Sequence, residues 1–168
     1  DARCSGRTDG SLMRISRDDM LMQIAIITSH RSTCNRLQVG AVVAQDGRIV
    51  SMGYAGAPAG QPHCSPETCN TRVPCTRTVH AEAGAIASAA RAGISLDNGS
   101  LYCTHCPCLD CAKLIINTGI KRVLYDKAYR KTEGLELLQS VGIIVERWNT
   151  CLLPTPELRS SQELELRT

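Results

Sequence analysis

Four side chains in this sequence have the types and spacing to do chemistry together. His80 and Glu82 lie in His80-Ala81-Glu82, and Cys108 and Cys111 in Pro107-Cys108-Leu109-Asp110-Cys111. One imidazole and two thiolates form a three-donor site for zinc that leaves the fourth position open to water, whose pKa then falls toward neutrality. A carboxylate kept off the metal is free to carry protons. This set is what metal-assisted hydrolysis requires. Singly, the fragments say less: a Cys-x-x-Cys also serves structural zinc knuckles and redox pairs, and a His-x-Glu is ordinarily a solvated helix start. A closed structural site would need a fourth thiol in place of His80. A thioredoxin-like pair would follow the first predicted strand, whereas this one follows the third.

The elements that must position these residues follow from periodicity and turn chemistry. Residues 13 to about 30 carry Leu21, Ile24, Ala25, Ile27 and Thr28 at helical spacing, with Asp18 and Asp19 suited to the positive end of a helix dipole. Residues 39–44 and 48–54 are β-rich runs separated by Gln45-Asp46-Gly47, a tight-turn signal, and so form a hairpin. Residues 53–74 are rich in Gly, Pro and Cys and lack apolar periodicity; so long a loop is unusual unless functional or held by a metal. A helix over 80–92 stops at Gly93, a strand covers 100–104, and a helix over 108–118 stops at Gly119. A strand at 121–125, a helix at 133–140 and a strand at 142–146 complete the order α-ββ-α-β-α-β-α-β. Alternation in the second half predicts parallel neighbours with helices on both faces: a three-layer α-β-α sandwich around a five-stranded mixed sheet. Both chemical motifs then open helices, where free N–H groups and the dipole favour thiolate over thiol. The i, i+3 spacing places both sulfurs on one side.

The chain of 168 residues, 43% hydrophobic, fits one core and one domain. Domain boundaries are expected at 13–150, after a disordered processed or appended end (1–12) and before a tail (151–168) in which Pro156-Glu157-Leu158 opens a short helix. A net charge of +3 and pI near 8.4 fall below what a dedicated duplex-binding surface carries. Aromatic content of 3% with no Phe argues against the stacking platforms of single-strand binders. A small anionic substrate needs only a local basic patch. Ten cysteines, with no charged-then-apolar leader and no run approaching the roughly 18 apolar residues of a membrane span, point to metal binding or catalysis in a reducing cytoplasm, or a host's cytoplasm if the gene is viral.

The sequence resembles the deoxycytidylate (dCMP) deaminase branch of the zinc-dependent cytidine deaminase superfamily, phage and bacterial type. The pattern His-x-Glu followed by Pro-Cys-x-x-Cys is the general signature of zinc deaminases. Further matching segments are Val39-Gly40-Ala41-Val42-Val43, Arg77-Thr78-Val79 before His80, Leu101-Tyr102-Cys103-Thr104, Ala112-Lys113 and Gly119-Ile120-Lys121-Arg122-Val123-Leu124-Tyr125. The loop Gly53-Tyr54-Ala55-Gly56-Ala57-Pro58-Ala59-Gly60 narrows the match to the dCMP branch; the likeness covers about residues 14 to 148.

The resemblance implies a cytidine deaminase-like fold and one catalytic zinc on His80, Cys108 and Cys111. The implied reaction is hydrolysis of dCMP to dUMP, with Glu82 passing the water's proton to N3 of cytosine and later one to the departing ammonia. The implied pocket uses the Ala81 N–H for the base's O2, a carbonyl near Cys106 for the exocyclic amine, Tyr129 as a wall, and the loop around Ala55. A second, structural zinc is implied on Cys34, Cys64 and Cys75, with Cys69 and His63 competing for the last ligand. Cys4, Cys103, Cys106 and Cys151 are read as non-ligands, His30 as a helix-end residue, and His105 as a substrate contact or a packing residue. Arg77, Arg91, Lys113 and Arg130 are candidates for phosphate or effector contact, or plain solvated charges. Relatives are commonly hexamers, so a homo-oligomer is expected, with dCTP and dTTP as effectors. Two positions depart from the pattern: Ala55 and Gly84 stand where relatives carry Asn. Losing both amides bears on effector control and makes room for a 5-substituted cytosine or an oligonucleotide. Two alternatives share the metal motifs: a cytosine deaminase acting on single-stranded DNA, and a zinc-structured binding module, against which the free Glu82 argues.

Overall fold

In the computed structural model, which describes residues 15–67, 69, 75–128 and 132–149, each strand's alternation separates two cores. The elements are α1 (Arg17–Ser29), β1 (Gly40–Gln45), β2 (Arg48–Tyr54), α2 (Ala81–Ala92), β3 (Ser100–His105), α3 (Leu109–Asn117), β4 (Arg122–Lys127), α4 (Glu133–Ser140) and β5 (Ile144–Arg147). The strands form one sheet in the order β2-β1-β3-β4-β5. β1 runs antiparallel to β2 and β3, whereas β3–β4 and β4–β5 are parallel, each joined through a helix. Val42, Ala44, Tyr102 and Leu124 point to one face, where α1 covers them with Leu21, Met22 and Ala25. Ala41, Val43, Leu101, Cys103 and Val123 point to the other, against Ala81, Ala85 and Ala89 of α2, Ala112 and Ile115 of α3, and Leu138 of α4. This is the expected α-β-α sandwich with a five-stranded mixed sheet. Fully buried Ile115 and Leu138 each contribute on the order of 2 kcal/mol by leaving water.

Local chemistry explains the boundaries. Asp46 (φ 49°) and Gly47 (φ 75°) both occupy the left-handed region, as a two-residue type I′ hairpin turn demands. Gly93 (φ 68°) closes α2 in the αL conformation. The first helix begins at Arg17 rather than residue 13, because Ser16 is extended and caps it: its Oγ accepts from the Asp19 N–H at 3.0 Å and donates to Asp19 Oδ2 at 2.6 Å. The long loop begins after Tyr54, since Gly53 and Tyr54 pair with Ala41 and Gly40 in the hairpin. His80 and Cys108 precede their helices as N-caps instead of lying in the first turns. Among the described residues no helix is long and apolar enough to cross a membrane. The expected ends 1–12 and 151–168, including the helix at Pro156, lie outside the described residues.

Candidate active site

The two helix starts converge. His80 (φ −69°, ψ 154°) and Cys108 (φ −73°, ψ 171°) both hold extended N-cap conformations. Their carbonyls already accept the first helical bonds, from Gly84 N–H at 2.8 Å and Ala112 N–H at 2.9 Å. Neither side chain makes the hydrogen bond to its own helix that an N-cap side chain usually makes. They turn toward each other. His80 Nδ1 lies 3.4 Å from Cys108 Sγ and 3.5 Å from Cys111 Sγ, and the three donor atoms lie within 4.8 Å of one another. A zinc ion bonded to nitrogen at about 2.0 Å and to sulfur at about 2.3 Å in a tetrahedron separates N from S by roughly 3.6 Å. The donor set and its spacing therefore fit zinc.

The electrostatics are those of a poised ligand set. Cys108 is pushed down to about 4, first by a hydrogen bond from the Cys111 thiol and next by one from His80. His80 is pushed up to about 9, chiefly by that bond to Cys108, against the effect of burial. The Cys111 thiol is pushed up by its bond to Cys108 and by burial. Glu82, one residue into α2, is 4% exposed. Burial raises its carboxyl to about 7, while a backbone hydrogen bond and the His80 charge oppose the rise. A carboxyl near neutrality can both take and return a proton at working pH.

Two glycines that sequence reasoning did not single out seat these helix starts. A Cβ at Gly53 of β2 would collide with the Ala81 carbonyl oxygen and the Ala85 amide of α2, and one at Gly134 of α4 with the Pro107 carbonyl oxygen and the Cys108 backbone. Gly53 carried a signal only as part of the Gly-Tyr loop. Gly134 carried none.

Of the pocket candidates, Ala81 is fully buried at the start of α2, and Cys106 is buried with its N–H donating to Lys127 O at 2.9 Å. Ala55 is also buried; its N–H donates to Val39 O, and its carbonyl accepts from Thr33 N–H at 3.1 Å and Ser32 Oγ at 2.7 Å, so its backbone ties the loop after α1 to the sheet. Tyr129 and Arg130 lie outside the described residues. Among the described residues His80, Cys108 and Cys111 form the single cluster of metal-type donors; Cys34, Cys64, Cys69 and Cys75 are not gathered into another. Cys64 and Cys75 approach the same hydroxyl, Thr78 Oγ1, at 4.0 and 3.4 Å, while His63 is exposed. Arg77 donates from Nη2 to Pro62 O and keeps a buried Nε without a partner among the described residues. Lys113 pairs locally with Asp110 at 3.3 Å, and Arg91 is exposed at the end of α2. His30 is the C-cap of α1, and Cys103 is core.

A sandwich that brings an imidazole, two thiols and a sequestered carboxyl together at two helix starts defines a metal-assisted hydrolase. The family model for the cytidine and deoxycytidylate deaminase zinc-binding region matches residues 15–127. The chain belongs to this family of deaminases. ComE operon protein 2 of Bacillus subtilis is 40% identical over 136 residues, which are 80% of this chain and 72% of that protein. The deoxycytidylate deaminase of Enterobacteria phage T2 is 31% identical, covering 74% of this chain and 88% of its own. The deoxycytidylate deaminase of Saccharomyces cerevisiae is 34% identical, and the matching region spans 46% of its length. Among solved structures, the dCMP deaminase of cyanophage S-TIM5 in complex with dCMP and dUMP superposes with a TM-score of 0.73 at 34% identity, covering 82% of this chain and 100% of that one.

Proposed function

We propose that this protein hydrolyses dCMP to dUMP and ammonia, with Glu82 as its proton carrier. The observation that carries the reading is Glu82, 4% exposed and beside the His80–Cys108–Cys111 cluster. Those three residues would hold zinc, which when bound supplies an acidified water and a positive centre for the developing charge. The carboxylate of Glu82 takes one proton from the attacking water and delivers it to N3 of cytosine as the oxygen bonds to C4. It then takes the new hydroxyl's proton and gives it to the amine as C4–N breaks and the C4 carbonyl forms. The buried Ala81 amide, at the positive end of α2, supports O2 of the base. Burial keeps bulk water from competing for the proton. Relatives named deoxycytidylate deaminases and the phage enzyme bound to dCMP and dUMP support the choice of nucleotide.

The reading extends to a 5-substituted cytosine ring. At Gly84 a Cβ would meet nothing nearer than Gly53 Cα at 3.8 Å and Tyr54 O at 3.9 Å. Packing does not demand glycine there, and the missing side chain leaves volume beside α2. A second zinc drawn from Cys34, Cys64, Cys69 and Cys75 belongs to the same proposal. The convergence of Cys64 and Cys75 on Thr78 supports it, and closing the site requires the loop to bring the other donors in. The proposed enzyme is a homo-oligomer, which light scattering tests.

An ultraviolet assay of dCMP, CMP, deoxycytidine, 5-methyl-dCMP and a short single-stranded oligonucleotide, run side by side with and without dCTP or dTTP, decides the substrate and the effectors. Deamination of dCMP is expected to dominate, with 5-methyl-dCMP close behind. Faster turnover of the nucleoside or the oligonucleotide would overturn the proposal. Metal analysis returning one zinc per chain would remove the second site.

A further inference from the structure

β3 presents its odd-numbered side chains to the catalytic face. Leu101 and Cys103 lie in one core with Ala81 and Ala85 of α2, the helix that carries Glu82, and with Ala112 of α3, next to Cys111. His105 is the next residue of that parity, at the carboxyl end of the strand, one strand repeat beyond Cys103 and just before Cys106-Pro107-Cys108. Beside it in parallel register stands Lys127, at the carboxyl end of β4 and of the same parity as Val123. The adjacent carboxylate, Asp126, also acts on the imidazole, against Lys127, so the cation and the fixed donor must outweigh it for an anion to bind. Ligands of α/β sheets sit outside the carboxyl ends of parallel strands. His105 is half-buried and Lys127 exposed, so both are within a ligand's reach.

A relay sets the imidazole's tautomer. Gly40 N–H of β1 donates to Thr104 Oγ1 at 3.2 Å, and Thr104 Oγ1 lies 3.2 Å from His105 Nδ1. Thr104 is 5% exposed, and a buried hydroxyl needs an acceptor for its own proton; His105 Nδ1 is the one it meets. The ring's remaining nitrogen, Nε2, then carries the hydrogen and is the donor this half-buried ring has left for a ligand. Burial first and the adjacent Lys127 next push His105 down, against Asp126, and the balance favours the neutral ring.

We propose that His105 Nε2–H and the Lys127 ammonium grip the 5′-phosphate of a nucleoside monophosphate whose base is held at Glu82, and so make the enzyme select nucleotide over nucleoside. The pair offers a fixed donor and a mobile cation to one dianion. The proposal rests on the nucleotide reading above.

The test measures kcat/KM for dCMP and for deoxycytidine, and the Kd of dUMP and of deoxyuridine, on zinc-loaded wild type, His105→Ala, His105→Gln and Lys127→Met. The dCMP-over-deoxycytidine ratio should fall roughly 10- to 100-fold in His105→Ala and Lys127→Met, the size of one lost hydrogen bond to a charged group. The dUMP-over-deoxyuridine binding ratio should fall in parallel. His105→Gln, which restores an N–H near the Nε2 position, should recover part of both. Ratios preserved in both variants, whether the two substrates weaken together or not at all, overturn the proposal. A wild type that prefers deoxycytidine would sink the nucleotide reading instead, while the dUMP arm still reads the phosphate grip.

Discussion

The Arg122 guanidinium holds the Asp18 carboxylate with two hydrogen bonds, both 2.8 Å, from β4 to the first turn of α1. Arg122 also donates to Glu146 of β5 at 2.7 Å, and Tyr102 OH donates to Asp18 at 2.8 Å. Trp148 Nε1 donates to Asp19 at 2.8 Å. This network clamps α1 to three strands on the face away from Glu82. Arg122→Met should cost about 2–3 kcal/mol, because it takes the guanidinium from two half-buried carboxylates, Asp18 and Glu146. Asp18→Asn should cost about 1–2 kcal/mol, because Arg122 keeps Glu146. The double variant should lose less than the sum. Urea denaturation of the four proteins checks both statements.

Tyr102 adds a pH signature. Burial first, and then its donation to Asp18, raise its hydroxyl to about 12. A folded-state pKa above the unfolded value means the stabilisation is complete below pH 10 and is lost as pH climbs through 12. Less than about 3 kcal/mol is at stake. Tyr102→Phe should flatten the decline in stability between those limits while lowering stability at pH 8. A decline of equal steepness in both proteins contradicts the assignment.

Glu82→Gln keeps the shape of the side chain but cannot carry a proton. Turnover should fall at least about 10³-fold, and zinc content should stay at the wild-type level. Cys111→Ser should lose the metal as well as the activity. Metal analysis beside the rate assay separates the two roles, and a zinc-loaded Glu82→Gln protein that still turns over removes Glu82 from the mechanism.

Gly53→Ala should shift the start of α2, since the added methyl meets Ala81 O and Ala85 N, both backbone atoms that cannot rotate aside. The expected cost is about 1–3 kcal/mol of stability, with weakened zinc retention. Gly84→Ala, where the new methyl has ordinary contacts only, should leave stability within about 0.5 kcal/mol or raise it. Chelator competition and thermal melts of the two variants test the contrast.

Much of the architecture was legible because it rests on local chemistry. Asp46-Gly47 announced the hairpin, Gly93 and Gly119 the helix ends, and His80, Glu82, Cys108 and Cys111 the chemistry. Apolar periodicity alone places the start of α1 too early, and the signal that corrects it is Ser16-x-x-Asp19, a capping pattern. The Asp18–Arg122 grip had no such signal, since the partners stand far apart in sequence and meet only once strand order is fixed. Gly134 carries no sequence signal, because the Pro107–Cys108 backbone that requires a glycine there is distant in the chain. The thiols of the long loop were readable as ligands by type, but their mutual distances depend on a path without periodic restraint.

Two helices of this enzyme begin on residues whose side chains decline to close them. Ordinary capping contributes about 1 kcal/mol at each such end, and here that local closure is surrendered so that an imidazole and a thiolate are free for an ion. Capturing the ion and winding the first turns of both helices therefore share one equilibrium. Stripping the metal should loosen the protein where it works, read as faster solvent exchange of the Gly84 and Ala112 amide protons, which make the first bonds of the two helices.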